Sequence, residues 1–118
     1  MAPRKPLSRD VKKGLTAPYN SWKNRIATLE FVRDIPLFPA DKSYHLARKV
    51  DKRLHSLSIL PMLILWGKHD FVFDLTFLSE WKQRFPGAEV HLFEDAGHYL
   101  FEDKPDETSS LIRDFLKK

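Results

Sequence analysis

The sequence predicts an α/β fold: a helical first half, followed by strand, helix, strand and helix with the two strands parallel. Three observations carry this. Pro61-Met62-Leu63-Ile64-Leu65-Trp66 is a continuous apolar run closed by Gly67, and a short run without polar alternation reads as a strand buried on both faces, as in parallel sheets. Glu89 to Phe93 alternates in character and reads as a second strand. The helical pattern between them fits a right-handed crossover joining parallel neighbours.

The elements can be justified in chain order. Ser8 to Leu15 is a short helix that Ser8 caps and Gly14 helps to end. From Tyr19 to Val32, the residues Trp22, Ile26 and Leu29 recur at helical spacing and form one apolar stripe. Ile35-Pro36-Leu37-Phe38-Pro39 stops that helix, because two prolines so close together favour an extended turn. Ser43 to Leu57 is a third helix with Ala47, Val50, Leu54 and Leu57 on one face; Arg48, Lys49, Lys52 and Arg53 lie off it as a solvated face. After the first strand, Asp74 caps a helix carrying Phe77, Leu78, Trp81 and Phe85, which Pro86-Gly87 ends. Pro105 opens the last helix. Asp106 and Glu107 suit its positive end, Lys117 and Lys118 its negative end, and Leu111, Ile112, Phe115 and Leu116 its apolar face.

At 118 residues the chain is one domain at most, and 42% hydrophobic with 13% aromatic content is enough for a core. Its formal charge of +4 comes from 20 basic against 16 acidic residues, and much of the excess sits in Arg4, Lys5, Arg9, Lys12 and Lys13. No aromatic residues interleave with these cations and no nucleic-acid motif accompanies them, so they read as a solvated terminus and no nucleic-acid partner is expected. The absence of cysteine excludes a disulfide framework, a thiol nucleophile and a Cys-based metal site. No signal-peptide core is visible, and no run approaches the roughly 20 apolar residues of a membrane span. The expectation is a cytoplasmic protein without a membrane span.

The candidate chemistry lies in Trp66-Gly67-Lys68-His69-Asp70 and Asp95-Ala96-Gly97-His98-Tyr99. Asp70 and His98 each follow a predicted strand, and chemistry gathers at the carboxyl ends of parallel strands. That order, acid and then histidine, is that of the last two members of a nucleophile–acid–histidine triad. Taken singly, an Asp after a strand is also a common turn or cap residue, and a lone Gly-His turn says little. Together they make Asp70 the candidate orienting acid and His98 the candidate base. The first member requires an elbow of the form G-x-S-x-G or G-x-D-x-G, and the sequence has none. His69 beside Asp70 does not read as a metal pair, since no other His/Asp cluster has ligand spacing. His45, His55 and His91 read as surface or helix-face residues. No metal or cofactor is expected.

From Pro61 onward the sequence resembles the carboxyl-terminal part of an α/β-hydrolase, and Asp95 to Tyr99 resembles the histidine loop of the haloalkane dehalogenase and epoxide hydrolase group. Ala17-Pro18-Tyr19, Ser21-Trp22, Arg25-Ile26-Ala27-Thr28 and above all Phe31-Val32-Arg33-Asp34-Ile35-Pro36 resemble the dehalogenase-like subgroup that contains the β-lactone decarboxylases of bacterial olefin biosynthesis.

The resemblance implies that residues 1–18 are the end of a cap region and residues 19–118 the carboxyl-terminal part of the core domain. It implies an aspartate nucleophile that forms an ester intermediate, with Asp70 as orienting acid and His98 as base, and a small apolar substrate, a β-lactone or a haloalkane. The nucleophile, the oxyanion-hole amides and the tryptophan beside the nucleophile match nothing in this sequence. Phe71 and Tyr99, and less so Val72, Phe73 and Leu100, are candidate pocket residues, with core packing as the alternative. The isolated chain is therefore expected to be inactive alone and to need an amino-terminal complementing half, and an open sheet edge is expected to invite self-association. Alternatives within the enzyme class are a haloalkane dehalogenase, an epoxide hydrolase or an esterase. The alternative of another class is a non-catalytic relic or interaction module that merely inherited its triad residues.

Overall fold

The computed structural model describes residues 6–118. Two compact units divide it, Ser8–Leu57 and a second built on Ser58–Lys118. Arg4 and Lys5 of the basic terminus lie outside the described residues.

The first unit is helical. Helix α1, Arg9–Thr16, begins where the Ser8 side chain accepts a hydrogen bond from the Val11 amide at 3.2 Å. It ends at Thr16, one residue beyond the expected Leu15, and the Thr16 hydroxyl donates back to the Lys12 carbonyl at 2.8 Å. A 3-10 turn, Ala17–Tyr19, separates it from α2, Trp22–Arg33. That helix starts later than Tyr19 because the Ser21 side chain accepts from the Asn24 amide and fixes the first turn. The proline-rich stretch stops α2 as expected, and the Phe38 amide donates to the Asp41 carboxylate at 2.6 Å within that connection.

Helix α3 spans Tyr44–Arg53, and the stretch to Ile59 tightens into 3-10 geometry instead of continuing as α-helix to Leu57. None of the residues of these three helices is buried, and Trp22 and Phe31 are each 79% exposed. The predicted stripe of Trp22, Ile26 and Leu29 does share one side of α2, where with Tyr19 and Val32 it lines an open apolar groove.

In the second unit, β1, Leu63–His69, pairs in parallel with β2, Glu89–Gly97. The crossover between them is α4, Leu75–Arg84, whose cap is Asp74 accepting from the Thr76 amide at 2.8 Å. Both strands outrun their expected ends. Gly67 does not close β1; it lies inside it, opposite Phe93. The polar residues Lys68, His69, Glu94 and Asp95 break the apolar signal, but backbone pairing does not depend on side-chain character, and His69 still pairs with Gly97. Beyond Gly67 the register shifts, so that the next pairing joins His69 to Gly97 and β2 bulges between. The expectation that β1 is buried on both faces is also corrected: only Ile64 and Gly67 are buried, because β2 is the single strand paired with β1 among the described residues.

Past β2, a short helix α5, Leu100–Asp103, was not expected; four residues are too few to show a helical period. Helix α6, Pro105–Phe115, opens at its proline as predicted. The core of this unit is Ile64, Leu78, Phe85, Ala96 and Leu100, joined by two buried polar residues, Asp103 and Thr108. Thr108 satisfies its hydroxyl by donating to the Lys104 carbonyl at 2.6 Å, which ties α6 to the end of α5.

Candidate active site

Parallel pairing brings the ends of β1 and β2 to one rim, and the residue that follows each strand carries the candidate chemistry. Asp70 follows β1 directly and turns back on it, its amide donating to the Gly67 carbonyl at 3.1 Å. The same Asp70 then organises the loop ahead: its Oδ1 accepts from the Val72 amide at 2.8 Å and the Phe73 amide at 2.9 Å. Trp66 Nε1 donates to the Phe73 carbonyl at 3.0 Å and pins the far end of this loop to β1. A short polar side chain capturing amides two and three positions on is the reason an Asp forms this turn.

His98 follows β2 directly. Its Nδ1 lies 3.0 Å from both Oδ1 and Oδ2 of Asp70, across 28 positions of sequence. An ionised carboxylate can only accept, so the proton of this bond sits on Nδ1 and the Nε2 lone pair is left free as an acceptor. That is the tautomer a general base needs. The Asp70 side chain is 11% exposed and that of His98 32%, so the carboxylate is sheltered and the imidazole is reachable.

Burial pushes the Asp70 carboxyl up, but the Phe73 amide, the His98 hydrogen bond and charge, and the Val72 amide together outweigh it and hold the group below its usual value of 3.8. A carboxyl lowered on folding adds stability that is fully present above about pH 3.8 and is lost as pH falls through the lower folded value. Urea-unfolding stability of the wild-type chain is therefore expected to fall more steeply below that pH than stability of Asp70→Asn. Parallel profiles for the two would contradict the direction of the shift.

Three aromatic rings surround the imidazole. Phe71 lies 5.5 Å away, Tyr99 5.6 Å away edge-on, and Phe73 5.8 Å away, all between ring centroids. The structure thus brings both candidate pocket residues, Phe71 and Tyr99, to His98, and Phe73 stands nearly as close. Each ring is still more than a third exposed, so the cradle is open to solvent. His69 stays exposed, and the described residues contain no group of three or more His, Asp or Glu placed to hold a metal ion.

Two further residues shape this rim and were not singled out from the sequence. Gly67 allows β1 and the bulged end of β2 to touch backbone to backbone, since an added Cβ would collide with the carbonyl oxygen of Gly97 and lie 2.8 Å from that of Ala96. Asp103 is 1% exposed and accepts from the Gly97 amide at 2.9 Å. The glycine showed only as punctuation in sequence, and the carboxylate as one of several acids before a proline.

A crossover-linked parallel pair that delivers an acid and a histidine to its carboxyl edge defines a hydrolase-type α/β protein, and residues 9–105 match the model of the alpha/beta hydrolase fold. The chain belongs to that family. It is 46% identical over 96% of its length to a cis-3-alkyl-4-alkyloxetan-2-one decarboxylase of Shewanella oneidensis, and 43% identical over 92% to a protein of the same name from Xanthomonas campestris. It spans 36% of the length of each. It is also 37% identical over 51% of its length to epoxide hydrolase 3 of Xenopus tropicalis, of which it covers 17%. No helix among the described residues is long and apolar enough to cross a membrane.

Proposed function

We propose that these residues are the carboxyl-terminal, acid–base part of a β-lactone decarboxylase that acts on a small apolar cis-3,4-dialkyl oxetan-2-one. The observation that carries the reading is the Asp70–His98 hydrogen bond at the shared rim of β1 and β2, in a chain 46% identical to a decarboxylase of that substrate class. In this reading residues 1–18 end a cap region, residues 19–118 belong to the core domain, and the nucleophile is an aspartate supplied by residues other than these.

The chemistry assigns a part to each group. An aspartate carboxylate attacks the oxygen-bearing ring carbon, the ring C–O bond breaks, and an ester with a free β-carboxylate results. Loss of CO2 sends the C–C bonding pair into the new double bond and returns the aspartate. No net proton is consumed; His98, held by Asp70 through Nδ1–H, offsets the charge that builds and disperses at the two carboxylates when its Nε2 carries a proton to donate. The apolar rings of Phe71 and Tyr99 suit alkyl substituents, and a substrate seated on them, with the rest of the enzyme over it, would keep water from the ester.

The test is complementation. The 118 residues are expected to produce no alkene or CO2 from a cis-3,4-dialkyl β-lactone alone, and to do so when expressed with the amino-terminal remainder of the Shewanella oneidensis relative. A pair that folds together but turns over an epoxide or haloalkane and no lactone would move the reading to the hydrolytic branch of the family. Lactone turnover by the isolated chain, abolished in His98→Ala, would overturn the external nucleophile.

A further inference from the structure

The Asp70 carboxylate explains how the His98 ring is held, but it does not explain how the backbone beneath that ring is held. His98 sits at a sharp exit: β2 ends at Gly97, Tyr99 departs from both helix and strand geometry, and α5 begins at Leu100. Two contacts span this exit, one inside the other. The outer joins Lys104 Nζ to the Asp95 carboxylate at 2.8 Å, with Glu107 at 3.2 Å on the same ammonium. The inner joins the Gly97 amide to Asp103 Oδ2 at 2.9 Å.

The inner contact is the informative one. Asp103 is 1% exposed, and a carboxylate so buried is expensive to keep unless its bonds hold something in place. Asp103 is itself fixed from behind, because its own amide donates to the Tyr99 carbonyl at 2.9 Å and Thr108 anchors the adjoining Lys104 carbonyl.

We propose that Asp103 is a positioning residue for His98: by gripping the Gly97 amide it sets the direction in which the chain leaves β2, and so the approach of the imidazole to Asp70. It touches no reacting atom. The proposal rests on the acid–base reading of Asp70 and His98.

The experiment reads the His98 ring itself, by imidazole nitrogen-15 chemical shifts in the 118-residue chain at a pH where the ring is neutral. Wild type is expected to show the proton chiefly on Nδ1. Asp70→Ala and Asp103→Ala should each lower that fraction at least about twofold, while Asp103→Asn, which keeps an acceptor for the Gly97 amide, should restore most of it. A purely structural Asp103 would lower the unfolding midpoint of Asp103→Ala and leave the folded-state nitrogen shifts unchanged, which overturns the proposal. If Asp70→Ala also changes nothing, the acid–base reading fails as well, so the two failures are distinct. Should Asp103→Ala not fold, the Gly97 amide of the wild type decides: exchange slowed at least about tenfold relative to an unstructured amide supports the grip, and unslowed exchange overturns it.

Discussion

Gly67→Ala is expected to destabilise the unit built on Ser58–Lys118 by about 3 kcal/mol and to pull the acid and histidine loops apart. The reason is steric, and it is confined to backbone. A Cβ at Gly67 would collide with the Gly97 carbonyl oxygen and stand 2.8 Å and 2.9 Å from the carbonyl oxygen and carbon of Ala96. None of these atoms belongs to a flexible side chain, so the bulged end of β2 must retreat as a whole. Retreat would break the pairing of His69 with Gly97, expose Ala96, which is fully buried, and loosen the Gly97 amide from Asp103. Against a domain stability of roughly 5–15 kcal/mol the loss is a large share, and urea unfolding followed by circular dichroism measures it. A change under about 0.5 kcal/mol, the range of ordinary surface substitutions, would show that the two strands do not approach this closely.

What the sequence made legible follows from where its signals are local. The Asp74 cap, the Pro86-Gly87 stop and the Pro105 start each depend on residues beside one another, and each lies where expected. So do Asp70 and His98, because a residue that ends a parallel strand is delivered to the rim by topology alone. What was missed depends on partners distant in sequence. Gly67 reads as a strand end until the bulge of β2 is placed against it. His69 looks too polar for a strand until it is paired with Gly97. Asp103 is one of two adjacent acids until burial separates it from Glu102. The helices of Ser8–Leu57 were legible from caps and periodicity, but periodicity predicts which side is apolar and not that it is covered, and Trp22 and Phe31 are largely exposed.

In the complemented enzyme, Asp70→Asn is expected to lower kcat by about a thousandfold or more while leaving the fold intact. The asymmetry between oxygen and amide decides this. Oδ1 of Asp70 already serves the Val72 and Phe73 amides, so an asparagine has to keep its single oxygen there or lose the turn. Its NH2 would then take the place of Oδ2, 3.0 Å from His98 Nδ1. Oδ1 also lies 3.0 Å from Nδ1, so it would be the one acceptor left for two amides and the ring, beside a donor that disfavours the Nδ1 proton. The ring is then held loosely and resists carrying both protons, so it offsets the developing carboxylate charge poorly, although every backbone contact survives. His98→Gln is expected to reach the same low activity by removing the ring, and the double variant should fall little further, as groups acting as one unit do. A circular dichroism spectrum close to wild type, together with the lost alkene production, would support this account. Asp70→Asn retaining more than about a tenth of wild-type kcat would mean that the carboxylate serves only the turn it caps, and that His98 finds its proton partner elsewhere.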